Sequence, residues 1–258
     1  MGESRLKVLF LNIPSPPRKN VERDFAGGFG VPGAPSRRRR YGHDLEKSVV
    51  LPPLFEGITA SLLRKAGHEV ALLDAQIRDM DLPSVVRFAS SGGYDLLLAR
   101  PSLPSFREDI HLLASVKSSC PDMLIAAWGA FSTTKPQLVL GGPVDLVISG
   151  ELESVVPMLC EHVSNGRDVS SCPGVMVEKN GQVSSTKPPP IVKDLDSLPY
   201  PLYEIFDMRR YYDHGKVEME RASPGRRFFT IQSSRGCPFA CWYCPYIVEF
   251  GPKWRAMS

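Results

Sequence analysis

No stretch of this chain approaches the roughly 18 consecutive apolar residues that a membrane span requires. Its start, Met1 to Lys7, carries Glu3 and runs straight into a strand-like segment, which argues against a secretory leader. Charge of one sign is also scarce: 31 Lys and Arg stand against 28 Asp and Glu, a net +3. That balance is too small to argue for a nucleic-acid partner, and the basic residues are scattered except for Arg37 to Arg40, which reads as a solvated run. The six cysteines form no disulfide framework, because three crowd between 237 and 244 while Cys120, Cys160 and Cys172 stand far apart. Such usage fits a reducing, cytoplasmic setting. No Gly-Lys-Ser/Thr follows a glycine run, so a P-loop is excluded. No segment repeats.

What is present is an alternation of strand and helix signals. Lys7–Ile13 is a short apolar run stopped by Pro14, Pro16 and Pro17, as a buried parallel strand would be. Leu54–Ala66 has helical periodicity and ends at Gly67. Further strands are expected at Glu69–Asp74, Tyr94–Ala99, Met123–Trp128 and Val144–Ser149, with helices at Leu82–Ser90, Phe106–Ser118 and Leu152–Val163. This order predicts an α/β domain, an open parallel Rossmann-like sheet with helices on both faces. Such sheets bind ligands at the carboxyl ends of their strands. The loops after Ile13, Ala99, Trp128 and Ser149 therefore supply the candidate cofactor-binding residues Ser15, Ser102, Gly129, Gly150 and Glu151.

The pattern changes after Gly166. Gly174–Val177 and Gln182–Ser184 flank Asn180-Gly181, a strong hairpin signal. Pro188 to Pro190 and the acidic-proline stretch from Asp194 to Pro201 read as a linker, and Phe228–Gln232 as a strand. The division expected is 1–166 for the sheet domain, 167–222 for hairpin and linker, and 223–258 for a third module.

That module holds Cys237, Cys241 and Cys244, a C-x3-C-x2-C loop with Tyr243 directly before the last cysteine. A loop this short can turn three thiolates toward one point. Three thiolates hold three irons of a cubic [4Fe–4S] cluster and leave the fourth iron open, whereas ferredoxin runs supply four cysteines. Structural zinc also wants four ligands, and the nearest histidine, His214, is far upstream. A zinc knuckle or three incidental thiols remain the alternatives, as does a closed cluster completed by Cys172.

The loop resembles the cluster loop of the radical S-adenosylmethionine (SAM) enzymes. Pro52–Asp74, the Gly150-Glu151-Leu152-Glu153 turn with its preceding strand, and Asp196–Pro201 resemble the cobalamin (B12)-dependent branch of that family. The resemblance implies a B12-binding-like domain, then the first strand and cluster loop of a radical SAM (β/α) barrel. With 14 residues after Cys244 against the roughly 250 of a full barrel, that barrel is expected to be incomplete in this chain. No catalytic side chain is assigned. The implied cofactors are a [4Fe–4S] cluster on the three cysteines, SAM with Tyr243 beside its adenine, and cobalamin. The implied chemistry is reductive SAM cleavage to a carbon radical, then methyl transfer to an unactivated carbon of a small-molecule substrate. A flavodoxin- or ferredoxin-type donor would supply the electron. A non-enzymatic corrinoid-binding module with a vestigial iron–sulfur loop is the other reading.

Two departures and one decoy refine this. Other cobalamin domains carry D-x-H-x-x-G after the first strand, but here that loop is Pro14-Ser15-Pro16-Pro17. The look-alike at Asp109 to Ala114 lies inside an expected helix, so His111 reads as an ordinary helix histidine. Gly28 to Gly33 match G-x-G-x-x-G, yet Pro32 and Pro35 oppose the helix a dinucleotide site needs. Asp24 to Tyr41 is instead expected as a mobile loop over the sheet edge.

Overall fold

The computed structural model describes residues 5–17, 21–23, 28–32, 51–185, 187–212, 227, 229–239 and 241–258. His214, Arg37 to Arg40 and most of the 24–41 segment lie outside them, as does Phe228.

Five strands form a parallel sheet: β1 (Lys7–Asn12), β4 (Glu69–Asp74), β5 (Leu96–Ala99), β6 (Leu124–Ala127) and β7 (Leu146–Ile148). The hairpin strands β8 (Val175–Lys179) and β9 (Gln182–Ser185) join it antiparallel, giving the order β4-β1-β5-β6-β7-β8-β9. The strand order reverses between β1 and β5, the flavodoxin-like arrangement whose crevice opens at the carboxyl ends. Residues along β1 alternate between two cores, as the period of two requires. Val8 and Phe10 face one core, and Leu9 and Leu11 face the other. Helices α1 (Leu54–Lys65) and α6 (Leu152–Ser164) cover the first face through Leu63, Val155 and Leu159. Helices α2 (Leu82–Ser91) and α3 (Phe106–Ser119) cover the second through Val85, Leu113 and Val116. Two short helices, α4 (Ala130–Thr134) and α5 (Pro136–Val139), follow β6.

Local chemistry explains the ends. The Asp81 side chain caps α2 by accepting the Ser84 N–H at 3.0 Å. Asn180 and Gly181 have φ of 54° and 76°, the two left-handed positions of a type I′ turn. Because the hairpin pairs with β7, continuous sheet hydrogen bonding runs past the expected boundary at 166. The linker is not free either: Phe206 and Pro201 pack so closely on Gly57 of α1 that a Cβ there would meet Phe206 at 2.6 Å.

The strand expected at Phe228–Gln232 is corrected. Residues 229–232 carry no ladder, since no described strand lies alongside to pair with them. Regular pairing starts later, where β10 (Ser234–Arg235) runs antiparallel to β11 (Arg255–Ala256). The cysteine loop and α7 (Tyr246–Phe250) lie between them. A second small ladder, β2 (Val21–Glu22) with β3 (Val31–Pro32), had no sequence signal.

Candidate functional site

Residues 21–23 and 28–32 lie across the carboxyl edge at the reversal point. Arg23 is 3% exposed and donates to Asp109 through both terminal nitrogens, at 2.8 and 3.0 Å. It also donates to the Ser102 hydroxyl at 2.6 Å and to the Ile13 and Pro14 carbonyls. Asp109 accepts the Ser102 N–H and the Ser105 hydroxyl as well. A bidentate guanidinium therefore ties β1 to β5 where a ligand crevice was expected. Asp109 is wholly occupied, so the Asp109–His111 look-alike is not assembled as a metal motif. His111 is exposed and lines a groove of about 600 Å³ with Ser15, Met80, Leu82 and Arg107. Of the Gly28–Gly33 run, Gly33 lies outside the described residues, and Gly28 to Gly30 lead into β3 rather than a helix, unlike a dinucleotide fingerprint. Phe29 instead accepts the Leu103 N–H at 2.9 Å.

The candidate cofactor residues are thus unequally placed. Ser15 accepts from the Val21 N–H at 3.1 Å and from Gln76 at 3.3 Å. The Ser102 hydroxyl is buried under Arg23. Gly129 and Gly150 have φ of 92° and 82°, and a Cβ would meet Arg100 at 2.9 Å or Pro189 at 2.7 Å. Arg100 stacks on Trp128, 4.9 Å from the ring centroid. The indole N–H of Trp128 and the hydroxyl of Ser132, at the same carboxyl edge, are buried with no hydrogen-bond partner among the described residues. These two buried donors leave hydrogen-bonding capacity at this edge that a polar ligand could take up.

Glu151 is committed to the cysteine module instead. Its carboxylate takes Arg255 at 2.7 and 3.2 Å and the Val192 N–H at 2.7 Å. Arg255 also donates to the Val192 and Phe250 carbonyls. Glu153, two residues on, takes Arg235 at 2.7 Å. Burial pushes the Glu153 carboxyl up, and the Arg235 charge opposes that shift. Arg255 and Arg23 were missed by sequence reasoning, because their partners lie 104 and 86 residues away.

The loop leaves β10 through Gly236, whose φ is 82°. The Cys237 N–H reaches the Gly251 carbonyl at 3.3 Å, and the Cys244 N–H reaches that of Cys241 at 3.1 Å. All three thiols are free: Cys241 is exposed, and Cys237 and Cys244 are half-buried. The donor set suits an iron–sulfur cluster in kind, although no three metal-binding side chains converge among the described residues. Tyr243 is 72% exposed and meets Trp242 edge-on. Cys172 is no fourth ligand. It is fully buried in the first core with Cys160, and burial pushes their thiols up to about 11 and about 12.

No protein-family model matches the chain. Over most of its length it is similar to solved cobalamin-dependent radical enzymes. It superposes on OxsB with aqua-cobalamin and SAM bound at a TM-score of 0.71 and 16% identity, covering 98% of this chain and 30% of that one. The TsrM methyltransferase of Kitasatospora setae, with cobalamin and a [4Fe-4S] cluster bound, gives 0.64 and 15%, covering 99% and 44%. The fold is that found in cobalamin-dependent radical SAM enzymes. Among curated proteins, an uncharacterized methyltransferase of Pyrococcus horikoshii is 25% identical over 80% of this chain and 43% of its own length. The anaerobic magnesium-protoporphyrin IX monomethyl ester cyclase of Synechocystis is 29% identical over 80% and 40%. The hopanoid C-3 methylase of Methylococcus capsulatus is 29% identical over 81% and 38%. The chain thus spans less than half the length of these relatives. No helix among the described residues is long and apolar enough to cross a membrane.

Proposed function

We propose that this chain is part of a cobalamin-dependent radical SAM enzyme that transfers a methyl group to a carbon of a small-molecule substrate. One observation carries the reading: a three-cysteine loop is bolted by buried arginines to the carboxyl edge of a flavodoxin-like sheet. The cysteine loop and the sheet's carboxyl edge are thereby held side by side. Cys237, Cys241 and Cys244 hold a [4Fe–4S] cluster, which when bound supplies the electron that cleaves SAM. Residues 223–258 begin the radical SAM domain, and Tyr243 flanks the adenine of SAM. Ser15, Gly129 and Gly150, with the unpaired donors of Trp128 and Ser132, face the corrinoid. Ser102 and Glu151 act at one remove, because their polar atoms already serve Arg23 and Arg255. A flavodoxin- or ferredoxin-type protein delivers the electron.

The test is an anaerobic assay of the full-length protein with SAM, cobalamin and a low-potential reductant. Reductant-dependent breakdown of SAM, lost in Cys237→Ala, supports the reading, and intact SAM after iron loading refutes it. The unconverged thiols favour a second reading, a corrinoid carrier with a vestigial loop. Retained cobalamin without SAM breakdown would select that one.

A further inference from the structure

Four charged side chains join the cysteine module to the sheet domain, and their register is what matters. Arg235 and Arg255 are directly opposite one another in the β10–β11 ladder. Glu151 and Glu153 flank Leu152 at the start of α6. The two pairs are joined, since Arg235 Nη1 lies 3.7 Å from Glu151 Oε1 while its Nη2 holds Glu153. All four residues are at least nine-tenths buried. Phe55 of α1 and Phe250 of α7 lie 5.2 and 5.8 Å from the Arg235 guanidinium. Among the described residues Glu153 Oε2, Arg235 Nη1 and Arg255 Nε have no hydrogen-bond partner, so the set is held by opposite charge and an incomplete group of hydrogen bonds.

Arg235 is also mechanically close to the thiols. Only Gly236 separates it from Cys237, and a Cβ on Gly236 would meet the Lys253 carbonyl oxygen at 2.1 Å. The backbone there has no slack to absorb a shift of Arg235. Arg255 closes the other end of the loop by donating to the Phe250 carbonyl at 2.8 Å.

We propose that Glu151 and Glu153 are positioning residues for the cysteine loop, a buried charge clamp that fixes how Cys237 and Cys244 are presented at the sheet edge. The cofactor consequence rests on the function proposed above, but the action on the thiols does not require a bound cluster.

The experiment is timed alkylation by iodoacetamide of the iron-free, full-length protein, each cysteine being followed by peptide mass spectrometry. In the wild type, half-buried Cys237 and Cys244 should react more slowly than exposed Cys241. Glu151→Gln with Glu153→Gln should speed Cys237 and Cys244 by about tenfold, as local opening of the module predicts. Cys160 and Cys172 should stay protected, which certifies the sheet core. Glutamine matches glutamate in size, so the gain reports the lost charge. Glu151→Asp with Glu153→Asp, which keep both charges, should hold Cys237 and Cys244 closer to the wild-type rate than the glutamine pair does, a difference that a merely bulky role would not give. Unchanged rates at Cys237 and Cys244 in the glutamine variant would overturn the proposal. If that variant also exposes the core cysteines, Glu153→Gln alone decides: faster Cys237 over a protected core supports the clamp, and an unchanged rate overturns it. A wild type that takes up no iron would sink the proposed function and leave this comparison intact.

Discussion

Tyr211 and Asp74 share a buried hydrogen bond between the linker and the end of β4, with the phenol donating to Asp74 Oδ2. Burial raises the Asp74 carboxyl, and burial with the Asp74 charge holds the Tyr211 phenol far above its ordinary 10.0. As pH climbs past 10.0, the unfolded chain releases this proton while the folded one keeps it. The unfolded state then binds fewer protons, so the stability from this group, complete below that pH, is lost as pH rises. Tyr211→Phe should therefore cost about 1–3 kcal/mol at neutral pH, because Asp74 loses a buried donor. It should also flatten the alkaline fall, a comparison that urea unfolding at pH 8 and above pH 10 would make. At Gly236, alanine would force a left-handed φ and a backbone clash. Gly236→Ala should loosen the module by about 1–3 kcal/mol, visible as faster hydrogen exchange across 234–256. Single residues were legible in the sequence only where the chemistry is local. The cysteine spacing and Asn180-Gly181 speak for themselves, whereas nothing near Arg23 announces Asp109.

Elements were read more fully than side-chain roles, for a physical reason. Strands buried on both faces and helices with one apolar stripe impose periodicities that survive in the sequence, so β1, β4, α1, α3 and α6 were located within a residue or two. The Gly150–Glu153 turn was located, but the partners of its glutamates were not. Its glutamates face a ladder far along the chain, and the pairing of Arg255 with Glu151 spans 104 residues. Truncating one partner of a buried pair strands the other, so Arg255→Ala should destabilise the module by about 3–5 kcal/mol. Limited proteolysis between 229 and 258 would register it, with the sheet domain left intact. The hairpin gives a milder case: Gly181→Ala, at φ of 76°, should cost about 1 kcal/mol in thermal or urea unfolding.

At the scale of the molecule, a doubly covered sheet carries the cysteine loop on its carboxyl edge, while Pro201 and Phe206 of the linker pack over α1. The sheet offers left-handed glycines and unpaired donors, and the loop offers free thiols. Arg23 and residues 28–32 fill part of the crevice at the reversal point, which the bare strand order could not foretell. On the function proposed above, the loop cysteines carry a [4Fe–4S] cluster with one iron open to SAM. The most direct measurement is the Mössbauer spectrum of the iron-57-reconstituted full-length protein, with and without SAM. The expected result is a cubic cluster in which one iron changes its signal on SAM addition, in wild type and in Cys172→Ala alike. A spectrum indifferent to SAM, or a cluster that vanishes with Cys172→Ala, would contradict it.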